Sequence, residues 1–197
     1  MIAIVDYGVG NVRSVERALV NVGAEVRLTA DPAHLEAAAG IVLPGVGAFA
    51  PALGKLSADG LGRLIVELVR GGKPVLGVCL GYQLLFDESE EHGRHEGLGL
   101  LSGRVVRVAT SERVPVIGWC RTKQTAPSPL WEGIADRSYF YFVHSYTPEA
   151  SADSIASTDH SPAAAAVKGN VMGTQFHPEK SGADGLRLYA NFLALCS

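Results

Sequence analysis

The sequence predicts a three-layer α/β fold: a mostly parallel central sheet with helices on both faces and antiparallel additions in the second half. Three observations lead to this prediction. In the first half, short apolar runs alternate with amphipathic, helix-length segments; in the second half, strand-like runs follow one another across turns; and one amphipathic helix closes the chain. Repeated strand–helix units of this length imply parallel strands joined by crossover helices.

The first half is predicted to contain four strand–helix units. MIAIVD reads as a strand, and the helix NVRSVERALVNVG ends at Gly23. AEVRLT is the second strand, and Asp31 and Pro32 open the next helix as its N-cap and first helical residue. GIVLPG is the third strand, and KPVLGVCLGYQLLF predicts a strand, a sharp turn and a helix. The apolar stripe of the helix between these two segments comprises Leu61, Leu64, Ile65, Leu68 and Val69.

The second half is predicted to be mainly antiparallel, with the polar segment 87–97 as an exposed loop before it. A final helix carries Leu186, Tyr189, Phe192 and Leu193 on one face. No repeat or linker divides the chain, so we expect a single domain over residues 1–197. The strand-like runs are RVVRV, VPVIGW, SYFYFVHSY, SIAS, AAAAVK and NVMGTQF.

Composition restricts the function classes. The chain is 47% hydrophobic and 19% charged with a formal net charge of −3, which argues against nucleic-acid and anionic-membrane surfaces. No apolar run is long enough to span a bilayer, and Met1 opens directly into a strand without a basic leader. Cys79, Cys120 and Cys196 are scattered and form no CxxC pair, so we expect a cytoplasmic protein with no disulfide framework and no metal site.

Cys79 is the first candidate catalytic residue. It stands between Gly77 and Gly81 where a predicted strand turns into a helix, the arrangement of a nucleophile elbow. The glycines remove side chains that would clash with the strand and the helix, and the helix N-terminus favours a thiolate. A buried structural cysteine at a crowded strand–helix crossing fits the same pattern equally well.

His177 and Glu179 are the candidate base and its orienting group. His177 follows the apolar strand VMGTQF, and Pro178 directs His177 and Glu179 to the same side of an extended turn. A carboxylate at this position can accept the imidazole N–H and select the tautomer that faces a nucleophile. The other histidines lie in polar surroundings or in a strand and carry no comparable motif.

GVCLGYQLLF and TQFHPEKSG, together with DYGVGNVRSVERAL, PGVGAF, VPVIGW and YFVHSY, resemble the class I (triad) glutamine amidotransferases across nearly the whole chain. Their order and the DYGxGN opening are similar to one subfamily, the glutaminase subunits of imidazole glycerol phosphate synthase. The resemblance implies a flavodoxin-like fold, L-glutamine as substrate and no cofactor. It also implies hydrolysis through a cysteinyl thioester, with Cys79 as nucleophile, His177 as base and Glu179 as its partner. Tyr82, Val116 and Cys120 depart from the usual family pattern of Met, His and Asn.

The resemblance implies further roles. Leu80 N–H and an amide of the PGVG turn, at Val46 or Gly47, would bind the oxyanion. The other implied glutamine-binding residues are Gly81, Gln83, Ser145 and Tyr146.

A partner is also implied, because we expect no second domain within residues 1–197 that could use ammonia. The resemblance predicts a heterodimer with a (β/α)8-barrel cyclase subunit that receives ammonia and makes imidazole glycerol phosphate and aminoimidazole carboxamide ribonucleotide. Trp119, Tyr141 and Lys180 would line the interface. Two alternatives stay open: a glutaminase serving another acceptor, including a γ-glutamyl hydrolase, and a non-catalytic glutamine-sensing or redox-thiol protein.

Overall fold

The computed structural model describes residues 1–58, 60–110 and 114–196. Strands and helices alternate through the first half, as predicted, except that two successive helices lie between the third and fourth strands, and a short helix follows the fourth strand immediately. These elements are β1 (Ile2–Val5), α1 (Val12–Asn21), β2 (Val26–Thr29), α2 (Pro32–Ala37), β3 (Gly40–Leu43), α3 (Phe49–Ala58), α4 (Leu61–Arg70), β4 (Val75–Val78) and α5 (Leu80–Leu84).

The second half consists mainly of strands, with 3₁₀ turns over Pro129–Trp131 and Pro178–Lys180. Its elements are β5 (Phe86–Ser89), β6 (His95–Glu96), β7 (Leu101–Arg107), β8 (Val116–Arg121), β9 (Lys123–Gln124), β10 (Tyr139–His144), β11 (Tyr146–Pro148), β12 (Ser154–Ser157), β13 (Ala165–Lys168), β14 (Val171–Thr174) and α6 (Gly182–Ala194).

The central sheet has eight strands in the order β2-β1-β3-β4-β14-β13-β12-β9. From β2 to β14 the neighbours are parallel, and from β14 to β9 they are antiparallel. Two smaller sheets lie beside it, a β8–β10 pair and a sheet of order β11-β7-β5-β6. The predicted α/β architecture with antiparallel additions is therefore confirmed.

Two apolar cores lie on opposite faces of this sheet. Ile2 and Ile4 of β1 pack with α1 and α6, whereas Ala3 and Val5 pack with α2, α3 and α4. Because both faces are covered, the parallel strands are apolar throughout, as expected for a doubly covered sheet. None of the helices within the described ranges is long and apolar enough to cross a membrane.

The expectation of an exposed loop over 87–97 is wrong at both ends of the segment. β5 and β6 pair antiparallel there, and β5 also pairs in parallel with β7. Phe86 and Ser89 are buried while Asp87 is exposed, so the strand places two polar residues between its buried positions. That pattern lacks the apolar alternation by which a strand is recognised in sequence.

Helix α3 was not predicted. Pro51 and Gly54 disfavour a helix in the segment, yet Phe49, Ala52 and Leu56 are buried on one face. Pro51 lies in the first helical turn, where its missing N–H costs no intrahelical hydrogen bond. The predicted start of α2 is confirmed, because the Asp31 carboxylate accepts a hydrogen bond from Ala33 N–H at 2.9 Å.

Tyr82, one of the departures from the family pattern, is a packing residue. It is completely buried, its hydroxyl donates to the Ala163 carbonyl at 3.1 Å, and its ring meets Phe86 edge-on. The ring lies against Gly173 of β14, where any Cβ would overlap it. Tyr82 and Gly173 therefore form a matched large–small pair between α5 and the sheet.

Gly173→Ala should lower the free energy of unfolding by about 2 kcal/mol, because the added methyl group overpacks the Tyr82 ring. In a Tyr82→Met background the same substitution should cost less. Urea unfolding of the four proteins in this double-mutant cycle measures both values. Gly54→Ala is the control, since a Cβ there meets nothing within 4 Å; an equal cost of Gly173→Ala in both backgrounds contradicts the pairing.

Candidate active site

Cys79 lies in a strained turn between β4 and α5. Its φ of 55° and ψ of −109° place a non-glycine residue in a region that L-residues rarely adopt. A Cβ on Gly77 would lie 2.7 Å from Tyr82 Cα, and a Cβ on Gly81 would overlap the Leu43 carbonyl oxygen. The two glycines therefore allow α5 to approach the sheet closely enough to form the elbow, as the sequence predicted.

The strand beside β4 brings His177 to the same edge of the sheet. β14 pairs in parallel with β4, with Thr174 opposite Val78, and Cys79 N–H donates to the Thr174 carbonyl at 2.8 Å. His177 follows three residues later, and its N–H donates to the Tyr141 carbonyl at 2.9 Å. The carboxyl ends of two adjacent parallel strands thus supply the thiol and the imidazole.

His177 and Glu179 form a buried pair. Nδ1 of His177 is 2.8 Å from Oε1 of Glu179, and the two side chains are only 2% and 1% exposed. Pro178 begins the 3₁₀ turn that places them on the same side. The Tyr189 hydroxyl donates to the other carboxylate oxygen at 3.3 Å, so both oxygens are engaged.

Electrostatics favour a protonated His177. Burial lowers its pKa, but the nearby sulfur of Cys79 and the hydrogen-bonded carboxylate of Glu179 outweigh burial and raise the pKa to about 10. Nε2 is buried and has no hydrogen-bond partner of standard geometry within the described residues. The arrangement can therefore hold a proton on Nε2 beside the sulfur and deliver it to a leaving group.

A cavity of about 260 Å³ opens beside Cys79 and His177. Glu91, Pro115, Val143 and His144 also line it, although the sequence did not indicate them. Gly81 does not line the cavity, since it packs against the backbone of Leu43 and Pro44. The predicted residues that line it are Val46, Gly47, Leu80, Gln83, Ser145 and Tyr146.

Several polar groups of this cavity already have partners. Gln83 Nε2 donates to the Tyr146 carbonyl at 2.8 Å, and His144 Nδ1 lies 3.1 Å from the same oxygen. The Ser145 carbonyl accepts from Val108 N–H at 3.0 Å. Burial lowers the pKa of His144 to about 4, so this histidine is neutral at physiological pH.

Glu91 is the acidic residue among the four cavity residues that sequence analysis missed. One of its carboxylate oxygens accepts a hydrogen bond from Phe49 N–H at 2.6 Å, which holds the side chain across 42 positions of sequence. It brings a carboxylate to a cavity wall whose other side chains, apart from Cys79 and His177, are uncharged. Its location in a strongly charged segment, expected to be a loop, concealed it.

The Pro44–Gly47 turn lies against the elbow. The Tyr7 hydroxyl donates to the Pro44 carbonyl at 2.8 Å, and burial, with the charge of Cys79, raises the pKa of Tyr7, so the phenol remains a donor. Gly47 has a φ of 92°, a conformation that favours glycine. The Pro44 carbonyl of this turn is therefore anchored by Tyr7, whereas Val46, two residues later, is 41% exposed.

An exposed apolar surface lies on the β8–β10 pair. Trp119 is 54% exposed and meets Tyr141 edge-on, and the Lys180 ammonium lies 5.6 Å from the centre of the Tyr141 ring. Ile117 and Tyr139, 63% and 49% exposed, extend this surface. We call these five residues the apolar face.

Within the described chain, no group of three or more His, Cys, Asp or Glu side chains could hold a metal ion.

Comparison with known proteins identifies a family from the sequence and a fold from solved structures. The profile of the family "Glutamine amidotransferase class-I" matches residues 3–196. The "Imidazole glycerol phosphate synthase subunit HisH" of Methanosarcina barkeri is 49% identical over 99% of this chain and 98% of its own, and that of Desulfitobacterium hafniense is 48% identical over 98% and 93%.

Solved structures show the fold. A crystal structure titled as a glutamine amidotransferase superposes with a TM-score of 0.81 at 22% identity, covering 100% of this chain and 99% of its own. PurLQS from Thermotoga maritima superposes with a TM-score of 0.78 at 20% identity, covering 100% and 98%.

Cys79→Ala should move the titration of His177 to lower pH, because the thiol contributes to the raised pKa. The folded-state pKa of His177 is near 10, above the usual 6.5, so the native protein stabilises the imidazolium. The imidazolium loses its proton, and the native state loses this stabilisation, only as the pH rises through 10. Ring ¹⁵N NMR between pH 5 and 11 measures it. Cys120→Ala should leave the titration unchanged, and an unshifted titration in Cys79→Ala contradicts the coupling.

Proposed function

The chain belongs to the class-I glutamine amidotransferases, and we propose that Cys79, His177 and Glu179 are the residues with which it hydrolyses glutamine to glutamate and ammonia. It is the glutaminase subunit of an imidazole glycerol phosphate synthase, as the curated relatives at nearly half identity over its length indicate. The observation that carries the residue assignment is the buried His177–Glu179 bond beside a strained cysteine. We also propose that residues 1–197 form a single glutaminase domain.

The first half-reaction forms a thioester. The Cys79 thiolate attacks the side-chain carbonyl carbon of glutamine, and the carbonyl oxygen becomes an oxyanion. As the tetrahedral intermediate collapses, His177 gives its Nε2 proton to the departing nitrogen, and ammonia leaves. Glu179 supports the imidazolium before this transfer and keeps the proton of the neutral ring on Nδ1 afterwards.

The second half-reaction regenerates the enzyme. Neutral His177 takes a proton from water at Nε2, the hydroxide attacks the thioester, and the second tetrahedral intermediate expels the Cys79 thiolate. The new carboxyl group loses its proton to solvent, glutamate leaves, and the thiolate–imidazolium pair is restored. Leu80 N–H is a donor for both oxyanions, because it is the first amide of α5 and has no acceptor within its own helix. An amide of Val46 or Gly47 is the second donor that we propose.

Glu91 and Gln83 fit the recognition of glutamine. A carboxylate in the cavity wall complements the α-ammonium group of an amino acid, and Glu91 is held in place by Phe49 N–H. Gln83 uses its donors within the protein, which leaves its carbonyl oxygen for the substrate. The bound amino acid would then extend along the Ser145–Tyr146 backbone.

Ammonia produced in this cavity needs a protected route, since water protonates it. We propose that the apolar face docks on a (β/α)8-barrel cyclase subunit in a heterodimer and that ammonia passes directly into that partner. Aromatic side chains with one apolar and one polar end are typical of such interfaces, and Trp119 and Tyr141 are of this kind. We further propose that the pair works in the cytoplasm; no disulfide links the cysteines of the described chain.

Cys79→Ala should abolish glutamine-dependent synthesis in the complex and leave ammonia-dependent synthesis by the cyclase subunit at the wild-type rate. The reason is that the nucleophile is lost while the cyclase site is untouched. Coupled assays with glutamine or with ammonium salt separate the two activities. The matched control is Cys120→Ala, which should retain both. Glutamine hydrolysis that persists in Cys79→Ala excludes Cys79 as the nucleophile.

Trp119→Ala should weaken binding of the cyclase subunit by about tenfold or more, because Trp119, exposed in the free subunit, would be buried on docking and would act as a central anchor. Isothermal titration calorimetry with the purified cyclase subunit measures the Kd. Val20→Ala removes an exposed apolar side chain of α1, 56% exposed, and should leave the Kd unchanged. Equal affinities for Trp119→Ala and wild type place the docking surface elsewhere.

A further inference from the structure

Gln175 is a buried polar residue that the mechanism above does not use. It lies between the end of β14 and His177, and none of its surface is exposed. Its backbone N–H donates to the Ala164 carbonyl at 2.9 Å, which continues the sheet hydrogen bonding beyond β14. Burying a primary amide costs free energy unless its donors and its acceptor form hydrogen bonds, so the Gln175 side chain requires buried partners.

The partners of Gln175 form a chain of hydrogen bonds that leads to the nucleophile. Gln83 Nε2 donates to the Tyr146 carbonyl at 2.8 Å and to Gln175 Oε1 at 3.0 Å. Gln175 Nε2 then lies 3.9 Å from Cys79 Sγ, a long contact of hydrogen-bond geometry. This series of hydrogen bonds joins the end of β14, helix α5 and the start of β11, and its members Cys79, Gln83 and Tyr146 line the proposed glutamine cavity.

The direction of this chain follows from its first member. The nitrogen and oxygen of a side-chain amide are similar in shape, so their assignment rests on the hydrogen bonds. A backbone carbonyl can only accept, so the Tyr146 oxygen requires the NH₂ group of Gln83 to face it. The second N–H of that group requires the oxygen of Gln175. Gln175 is thereby left with its NH₂ group toward the sulfur.

A donor fixed in this direction distinguishes the two protonation states of Cys79. A thiolate accepts N–H hydrogen bonds and is stabilised by them, whereas a thiol is a weak acceptor and gains little. The amide cannot turn to present its oxygen to the sulfur without breaking the bond to Gln83, because its NH₂ group would then face the NH₂ group of Gln83 and its oxygen would face the sulfur. Its effect on the thiolate is therefore built into the packing.

We propose that Gln175 is a further catalytic residue, which donates a hydrogen bond from Nε2 to Cys79 Sγ and stabilises the thiolate, and that Gln83 orients it. The inference rests on the proposed role of Cys79 as nucleophile. It assigns Gln83 a second task besides substrate contact, since the same side chain joins the cavity wall to the donor at the sulfur. It also accounts for a polar side chain at a fully buried position.

The test is the pH dependence of Cys79 alkylation by iodoacetamide, followed by mass spectrometry of the cysteine-containing peptides of the full-length chain. Gln175→Met keeps the size and removes the donor, so the midpoint for Cys79 should rise by about one pH unit, the effect expected for losing one hydrogen bond to a charged group. Gln175→Glu places an acceptor at the sulfur and should raise the midpoint further. Gln124→Met, an equivalent change on edge strand β9, should have no effect on it.

Gln83→Met tests whether Gln83 orients the Gln175 amide, because it leaves Gln175 itself unchanged. The same variant tests the proposal if the Gln175 variants do not fold. It should raise the Cys79 midpoint in the same direction but by less, because Gln175 can then turn. An unchanged midpoint in folded Gln175→Met, or in Gln83→Met if only that variant folds, overturns the inference. Glutamine hydrolysis by Cys79→Ala would instead overturn the proposed function, and the alkylation result would stand independently of it.

Discussion

The parallel pairing of β4 with β14 is the interaction on which the rest of the site depends. It sets Val78 opposite Thr174, so the chain leaves both strands at the same edge of the sheet. Cys79 N–H then bonds the Thr174 carbonyl, and His177 follows one short extended segment later. Two segments almost a hundred residues apart therefore meet because one strand register brings their ends together. A shift of one residue would turn the side chains of either strand to the opposite face.

Close packing around this register explains the glycine content of the site. Gly77, Gly81 and Gly173 all lie where a Cβ would collide with α5, with β3 or with the Tyr82 ring. Helix α5 thereby rests almost directly on the sheet, and the strained backbone of Cys79 is held by its surroundings rather than by its own preference. Core packing holds the Cys79 backbone in its strained conformation, so the geometry of the nucleophile and the stability of the fold depend on the same contacts.

Local patterns predicted much of this architecture and the residues proposed as the triad. The fully apolar strands β1, β3 and β4 and the amphipathic helices α1, α4 and α6 carry their signals within a few residues, and so do the glycine-flanked cysteine and the His-Pro-Glu turn. Features built from distant segments were not predictable in this way. Glu91 depends on a bond to Phe49 N–H, and the Gln83–Gln175 chain needs three segments brought together. Strand β5 was missed because its middle positions are polar, and α3 because Pro51 and Gly54 conceal its apolar face.

The central claim is that the strained, glycine-flanked Cys79 attacks the glutamine side chain. The most direct measurement is peptide mapping by mass spectrometry after treating the complex with a diazoketone analogue of glutamine, which alkylates the thiolate that meets the substrate carbonyl. We predict a single adduct, on the peptide that contains Cys79, and protection of that peptide by excess glutamine. An adduct on the peptides of Cys120 or Cys196, or modification of Cys79 that glutamine does not slow, would contradict the account.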